Sequence, residues 1–277
     1  MTRTFGHIER NAPATPSRQR GLDRQIAALL DFVTVSHQRV LAFLVICGLI
    51  FFLPGFFHIP PVDRDEARFA QATKQMVETG DYIDIRFQDE VRYKKPVGIY
   101  WMQSALVNGA IKAGIPGAKV RIWIYRIPSL AGAIGAVLLT YWAALAFLTR
   151  RGALLAAMTL CASILLGVEA RLAKTDAMLL MMAVAAMGAM ARVYLRWQRD
   201  GDDGPAGPAG WLMPGIFWTA LAAGLLIKGP LVLMFAVTTA ITLAILDRSA
   251  GWIWRLRPIW GVLWMLVLAL PWFIAIV

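Results

Sequence analysis

Long apolar runs separated by short polar joints set the pattern of this chain. Runs of the length that crosses a bilayer as a helix, about 17–25 residues, fall at 40–58, 127–148, 152–169, 176–195, 211–227, 230–246 and 259–277. The pattern predicts an all-α, polytopic helical membrane protein with about seven spans. The last run is still apolar at Val277, which sets the expectation that a further C-terminal portion follows.

An eighth apolar stretch, about 97–115, decides which side of the membrane every later joint occupies. If it crosses, Arg150-Arg151, the Arg192 to Arg199 cluster and the Arg248 to Arg257 cluster all face outward, against the bias of Lys and Arg toward the cytoplasm. If it lies in the interface or re-enters, which Asn108, Lys112 and the glycines at 98, 109 and 114 permit, all three clusters face inward with the Gly/Pro-rich linker Gly201 to Gly210. The second arrangement is the better reading. It makes 59–126 a first outer loop with juxtamembrane helices and 40–277 one transmembrane module. Residues 1–39, carrying Arg3, Arg10, Arg18, Arg20, Arg24 and Arg39, become a cytoplasmic tail ending in an amphipathic helix.

Five polar motifs then share the outer side. They are Asp63-Arg64-Asp65-Glu66, Lys94-Lys95-Pro96, Arg126-Ile127-Pro128-Ser129, the segment Arg171 to Asp176, and Lys228-Gly229-Pro230. So much charge at the mouths of spans is costly near lipid unless it faces water or a polar substrate.

Composition narrows the class. The chain is 58% hydrophobic with eleven Trp and a mean hydropathy of +0.59, too apolar for an ordinary soluble domain. The net charge of +11 is distributed among short joints, as membrane topology requires, so it does not signal nucleic acid. Cys47 and Cys161 lie inside apolar runs as small core hydrophobes and imply neither a disulfide nor a thiolate metal site. No phosphate-binding glycine loop, zinc spacing, Ser-His-Asp set or nucleotide fingerprint occurs, so no metal ligands are assigned and a nucleotide-borne donor is not suggested.

Each motif carries a bland and a functional reading. Asp65 and Glu66 open a helix expected over 63–79, where carboxylates favour the dipole by about 0.3–1 kcal/mol each. Alternatively Asp65 takes or orients the proton of an acceptor hydroxyl, with Glu66 holding a neighbouring Arg. Apolar Ala67, Phe69, Ala70, Met76 and Val77 suit an interfacial face of that helix. Lys94 and Lys95 either anchor to bulk lipid phosphates, or Lys95 neutralises a departing phosphate. Tyr93, Tyr100 and Trp101 are interface aromatics or a sugar platform, with Trp101 in the interface role. Asp176 either caps its helix or lines a polar cavity. Lys228, framed by two apolar runs, either complements a helix C-terminus or meets an anion. Gly132 and Gly135 pack helices within the chain or between two copies.

Asp65-Glu66-Ala67-Arg68-Phe69-Ala70, Tyr93-Lys94-Lys95-Pro96 with Tyr100-Trp101, Arg126 with Pro128-Ser129, Arg171 to Asp176 and Lys228-Gly229 together resemble the GT-C glycosyltransferases of the protein O-mannosyltransferase and aminoarabinose transferase superfamily, over about residues 40–277. The resemblance implies a sugar donor on a polyprenyl phosphate, transfer with inversion, a glycolipid or protein hydroxyl acceptor, and a site on the periplasmic face of a bacterial inner membrane. By it Asp65, with Glu66 beside it, stands at the reaction centre. Lys95, Arg126, Lys228 and Arg68 face the donor phosphate or an anionic substrate, and Asp176, Lys94, Tyr93 and Arg171 line the cavity. Lys94 stands where aminoarabinose transferases usually have Glu, so an amino sugar, a uronic acid and a hexose are on an equal footing, and the relatives' metal site does not carry over. A lipid-linked sugar transporter or flippase is the alternative, but the chain shows no internal repeat and its charges sit at span ends rather than midplane.

Overall fold

A computed structural model describes residues 17–200 and 208–277. The first sixteen residues of the tail, with Arg3 and Arg10, and residues 201–207 of the linker lie outside the described residues. The helices in chain order are α1 (Ser17–Thr34), α2 (His37–Phe52), α3 (Arg64–Thr79), α4 (Gly98–Lys112), α5 (Ile122–Ala144), α6 (Arg150–Cys161), α7 (Ile164–Glu169), α8 (Asp176–Asp200), α9 (Leu212–Lys228), α10 (Leu231–Asp247), α11 (Gly251–Trp254) and α12 (Pro258–Ala275). One hairpin, β1 (Arg86–Phe87) and β2 (Glu90–Val91), lies between α3 and α4.

The expectation of about seven spans meets helices of unequal length. Among the described residues, only α5, α8 and α12 are single helices long and apolar enough to cross a membrane. The end of α1 and α2 together make a fourth only as a pair bent by 119°. At 17 residues each, α9 and α10 reach about 26 Å and stand at the lower limit of spanning length. The run 152–169 is broken between α6 and α7 at Ala162–Ser163. Beyond the break Arg171 donates to the carbonyls of Gly167 (2.6 Å) and Pro54 (2.8 Å), turning the chain back onto the end of α2.

The segment 97–115 forms the 15-residue α4, about 22 Å long. Its inner face buries Tyr100, Gln103, Ser104 and Val107, and Gln103 accepts a hydrogen bond from Thr73 of α3 (2.6 Å) and donates to the Tyr125 carbonyl of α5 (3.2 Å). A buried polar face satisfied by two other helices fixes α4 against the bundle.

The core is divided by the long helices. Met178, Leu179, Met190, Leu221 and Trp252 pack α8 against α9 and α11, while Leu44, Phe52, Val137 and Leu154 join α2, α5 and α6. Close approach of α5 to α8 requires Gly132, where a Cβ would lie 2.7 Å from the Met178 Cα. This glycine therefore packs helices within the chain.

The two ends of the bundle differ. At one end are α3, α4, the hairpin, the starts of α5 and α8 and the ends of α2, α9 and α12, whose Trp272 donates to the Ile83 carbonyl (3.1 Å). At the other, Arg150 bonds the Thr34 and Val35 carbonyls (both 2.7 Å) and Tyr194 of α8 meets Asp247 of α10 (2.6 Å).

Gly132→Ala should lower the melting midpoint in detergent by several degrees, because overpacking costs about 1–3 kcal/mol. An unchanged midpoint would mean that α5 and α8 are not held at this separation.

Candidate functional site

Helix α3 organises the site. Asp63 is its N-cap, with a side-chain oxygen accepting from the Asp65 N–H (2.6 Å), and Gly80 ends it in a left-handed conformation (φ 76°). Its buried face is Glu66, Phe69, Ala72, Thr73 and Met76, the 3–4 spacing of one helical stripe. Ala67 is exposed, and Ala70 and Val77 are only partly covered, so the face differs from the one expected. Glu66 leads the buried stripe. Asp65, one residue and about 100° earlier, falls outside it with half its side chain exposed.

Glu66 and Arg126 form a fully buried ion pair, with 0% exposure on both sides. The Arg126 Nε and Nη2 donate to the two carboxylate oxygens (2.7 and 3.2 Å), Nη1 donates to the Phe56 and Ile59 carbonyls (3.0 and 2.8 Å), and Nη2 also reaches the Pro60 carbonyl (3.3 Å). Those five bonds use all five N–H donors of a guanidinium. The Ala173 N–H donates to Glu66 as well (3.0 Å). Two expectations are corrected by this geometry: Arg126 has no donor left for a phosphate, and Glu66 is not at a reacting surface. Their role is to tie α3, α5, the loop after α2 and the loop before α8 together.

Arg171, expected in the cavity, is also engaged in backbone carbonyls of α2, Pro54 and Gly167, and acts as a staple. Around it sits a charged cluster. Lys174 lies 3.2 Å from Asp63 and 3.6 Å from Glu169, and Asp176 at the start of α8 pairs with Lys228 at the end of α9. Each partner of that second pair also complements its own helix dipole. Burial lowers the Lys174 pKa, but its bond to Asp63 and the charges of Glu169 and Asp176 outweigh that and raise it. Asp63 is held below the ordinary carboxylate range, first by the Asp65 N–H and then by Lys174.

Asp65 borders a second cluster. Arg68 bonds it at 3.4 Å, and Arg68, Arg92, Lys94, Tyr93, Glu90 and Phe87 line a cavity of about 390 Å³. The hairpin that forms one wall is pinned because Gln75 both donates to and accepts from the Gln88 backbone (2.8 and 3.0 Å), holding a non-glycine turn residue at φ 59°. Tyr93 donates to Asp84, which orients it at the rim. Tyr100 is buried beneath, and its pKa is pushed up to about 12 by burial, against the pull of the Arg92 guanidinium bonded to it. Lys95 is half-buried and forms no hydrogen bond or ion pair among the described residues, but Lys94, not Lys95, lines the cavity.

The structure therefore brings together Asp65, Arg68, Tyr93 and Lys94, and separately Asp176 and Lys228. Lys174 and Glu169 were not singled out in the sequence; a carboxylate ending an apolar run was the available signal for Glu169. Among the described residues no group of three or more His, Cys, Asp or Glu converges as metal ligands.

The fold is an all-α bundle with a polar end built around a short hairpin and juxtamembrane helices, the architecture of a membrane module. The chain belongs to the dolichyl-phosphate-mannose-protein mannosyltransferase family, whose profile matches residues 39–277. It is 28% identical over 234 residues to the undecaprenyl phosphate-alpha-4-amino-4-deoxy-L-arabinose arabinosyl transferase of Aeromonas hydrophila, covering 82% of this chain and 39% of that protein. It is 27% identical to the enzyme of the same name from Erwinia tasmaniensis, covering 76% and 35%. The crystal structure of ArnT from Cupriavidus metallidurans bound to undecaprenyl phosphate shares the fold, with a TM-score of 0.72 at 20% identity over 87% of this chain and 42% of that one. The chain thus spans about two-fifths of the length of the curated relatives it matches.

Arg126→Leu should cost about 3–5 kcal/mol, the penalty for leaving one partner of a buried pair uncompensated, and size-exclusion profiles in detergent should show loss of monodisperse protein. A profile like that of the parent would remove the pair from its structural role. Asp63 supplies a pH test. A depressed carboxylate contributes stability above its ordinary pKa of about 3.9 and loses it as pH falls through the lowered value. Asp63→Asn and the parent should therefore melt furthest apart near neutral pH and converge as the pH falls below the ordinary carboxylate range; a constant gap would contradict the assignment.

Proposed function

We propose that this chain is the donor-binding part of an inverting membrane glycosyltransferase that moves a sugar from a polyprenyl phosphate to a lipid A-like glycolipid or protein hydroxyl on the periplasmic face of a bacterial inner membrane. The observation that carries this reading is the half-exposed Asp65 beside a cavity with three cations, backed by a buried ion pair that keeps its helix in place. The undecaprenyl phosphate held by the Cupriavidus ArnT and the names of the Aeromonas and Erwinia relatives support a polyprenyl-linked donor.

In this reading the donor phosphate meets Arg68, Arg92 and Lys94, with Lys95 adjacent. The acceptor oxygen attacks the anomeric carbon from the side opposite the phosphate. The new C–O bond forms as the bond to the phosphate oxygen breaks, which inverts the centre and releases polyprenyl phosphate. Negative charge grows on the departing phosphate, where cations held in a partly dehydrated cavity stabilise it most. If the acceptor is a hydroxyl, its proton passes to Asp65; if it is an already ionised phosphate, no proton moves and Asp65 orients the groups. Lys228 is paired with Asp176, so its contribution is to hold the start of α8 to the end of α9 rather than to bind an anion alone.

Asp65→Asn in the full-length protein should lower transfer by about 10²–10⁴-fold, the usual contribution of a positioned base, while the melting midpoint stays within a degree or two because the carboxylate is half-exposed. Mass spectrometry of lipid-linked sugars and envelope glycolipids should show one polyprenyl-phosphate sugar accumulating and its acceptor left unmodified. Full activity of the variant would defeat the reading.

A further inference from the structure

A second pocket lies far from the sugar site. On α8, Arg192 is sixteen residues beyond Asp176, about 24 Å along the helix axis, at the end of the bundle where Arg150 and Tyr194 make their contacts. Arg192, Arg196 and Arg199 follow each other at spacings of four and three, so they share one helix face. They line a cavity of about 540 Å³, within the range of small-molecule sites, about 300–1,000 Å³. Its remaining wall is apolar, built from Leu195 of the same helix, Leu145 beyond the end of α5, and Leu212 at the start of α9.

Among the described residues the charge in this pocket is not balanced. Arg196 lies 3.4 Å from Asp200, and among the described residues Asp247 is bonded by Tyr194 and Gln198. Arg199 has no ionic partner among the described residues. Arg192 stacks over Trp142 at 4.6 Å and donates to the Trp142 carbonyl, while its buried Nε has no hydrogen-bond partner among the described residues. The contrast with Arg126, whose five donors are all taken and whose charge meets a carboxylate, is plain. An arginine trio with one half-buried and two exposed members, and one carboxylate beside it, presents a site for an anion.

The apolar half selects which anion. A soluble phosphate would leave the leucine wall facing water, whereas a phospholipid puts its phosphodiester on the guanidinium groups and its first chain methylenes along Leu145, Leu195 and Leu212. Basic pockets between membrane helices recognise anionic headgroups in this manner. We propose that the pocket between α5, α8 and α9 binds an anionic phospholipid of the leaflet opposite the sugar site. On the positive-inside reading that leaflet is the cytoplasmic one. Occupancy fastens the starts of α9 and the ends of α5 and α8 together without touching Asp65.

The test uses the whole chain purified in a neutral detergent and titrated with phosphatidylglycerol or phosphatidylcholine, with native mass spectrometry counting bound lipid. The expected result is at least a tenfold preference for phosphatidylglycerol, erased in R196Q/R199Q. That double variant removes two outward guanidinium groups and leaves the Arg192 stack on Trp142 in place, so it retains the fold. The equal-charge control R24Q/R151Q, away from the pocket, keeps the preference. Equal binding of the two lipids, retention of the preference in R196Q/R199Q, or its loss in R24Q/R151Q would each overturn the proposal. So would full displacement of phosphatidylglycerol by millimolar inorganic phosphate, which would make this a free-anion site.

Discussion

The buried pair of Glu66 and Arg126 is the interaction on which the charged end of this molecule depends. Two full charges withdrawn from solvent are tolerated only where geometry and hydrogen bonding are nearly complete, and here every guanidinium N–H has an acceptor and Glu66 gains the Ala173 N–H besides. Such a pair adds little net stability over an apolar pair of similar size, but it demands one arrangement of the segments it joins. Those segments are α3, α5, the loop after α2 and the loop before α8. The register of α3 is thereby fixed, and with it the direction of Asp65.

From that constraint the division of labour among neighbouring charges follows. Asp65 and Glu66 are adjacent in sequence and alike in chemistry, yet a rotation of about 100° per residue sends one into the core and leaves the other at the cavity mouth. Lys174, Asp63 and Glu169 repeat the theme nearer the surface, where mostly buried links hold the loop before α8 to the cap of α3. Asp176 and Lys228 close the rim between α8 and α9. What remains unneutralised beside Asp65 among the described residues is a set of cations, Arg92, Lys94 and Lys95, at or next to a cavity of about 390 Å³. The opposite end of the bundle sets three arginines against leucines, with Asp200 beside Arg196.

Much of the architecture could be read from the chain. Apolar length gave the helical class, and the sidedness of Arg clusters correctly placed the polar motifs at a common end. Helix continuity could not be read that way: the run 152–169 is apolar throughout, but its break at Ala162–Ser163 depends on Arg171 reaching back to Gly167 and Pro54. The fate of Arg126 was hidden for a similar reason. An arginine at the start of a span looks the same whether it awaits a phosphate or meets a carboxylate 60 residues earlier. The distinction between Asp65 and Glu66, by contrast, was present in the spacing of Glu66 with Phe69, Thr73 and Met76, which marks one face of α3.

The most direct test of the account is the accessibility of position 65. In spheroplasts, Asp65→Cys in the full-length protein should react with a membrane-impermeant maleimide, and added undecaprenyl phosphate should protect it. Absence of labelling from outside, or labelling that undecaprenyl phosphate leaves unchanged, would contradict the claim that the Glu66–Arg126 pair aims this residue into an outward-facing donor site.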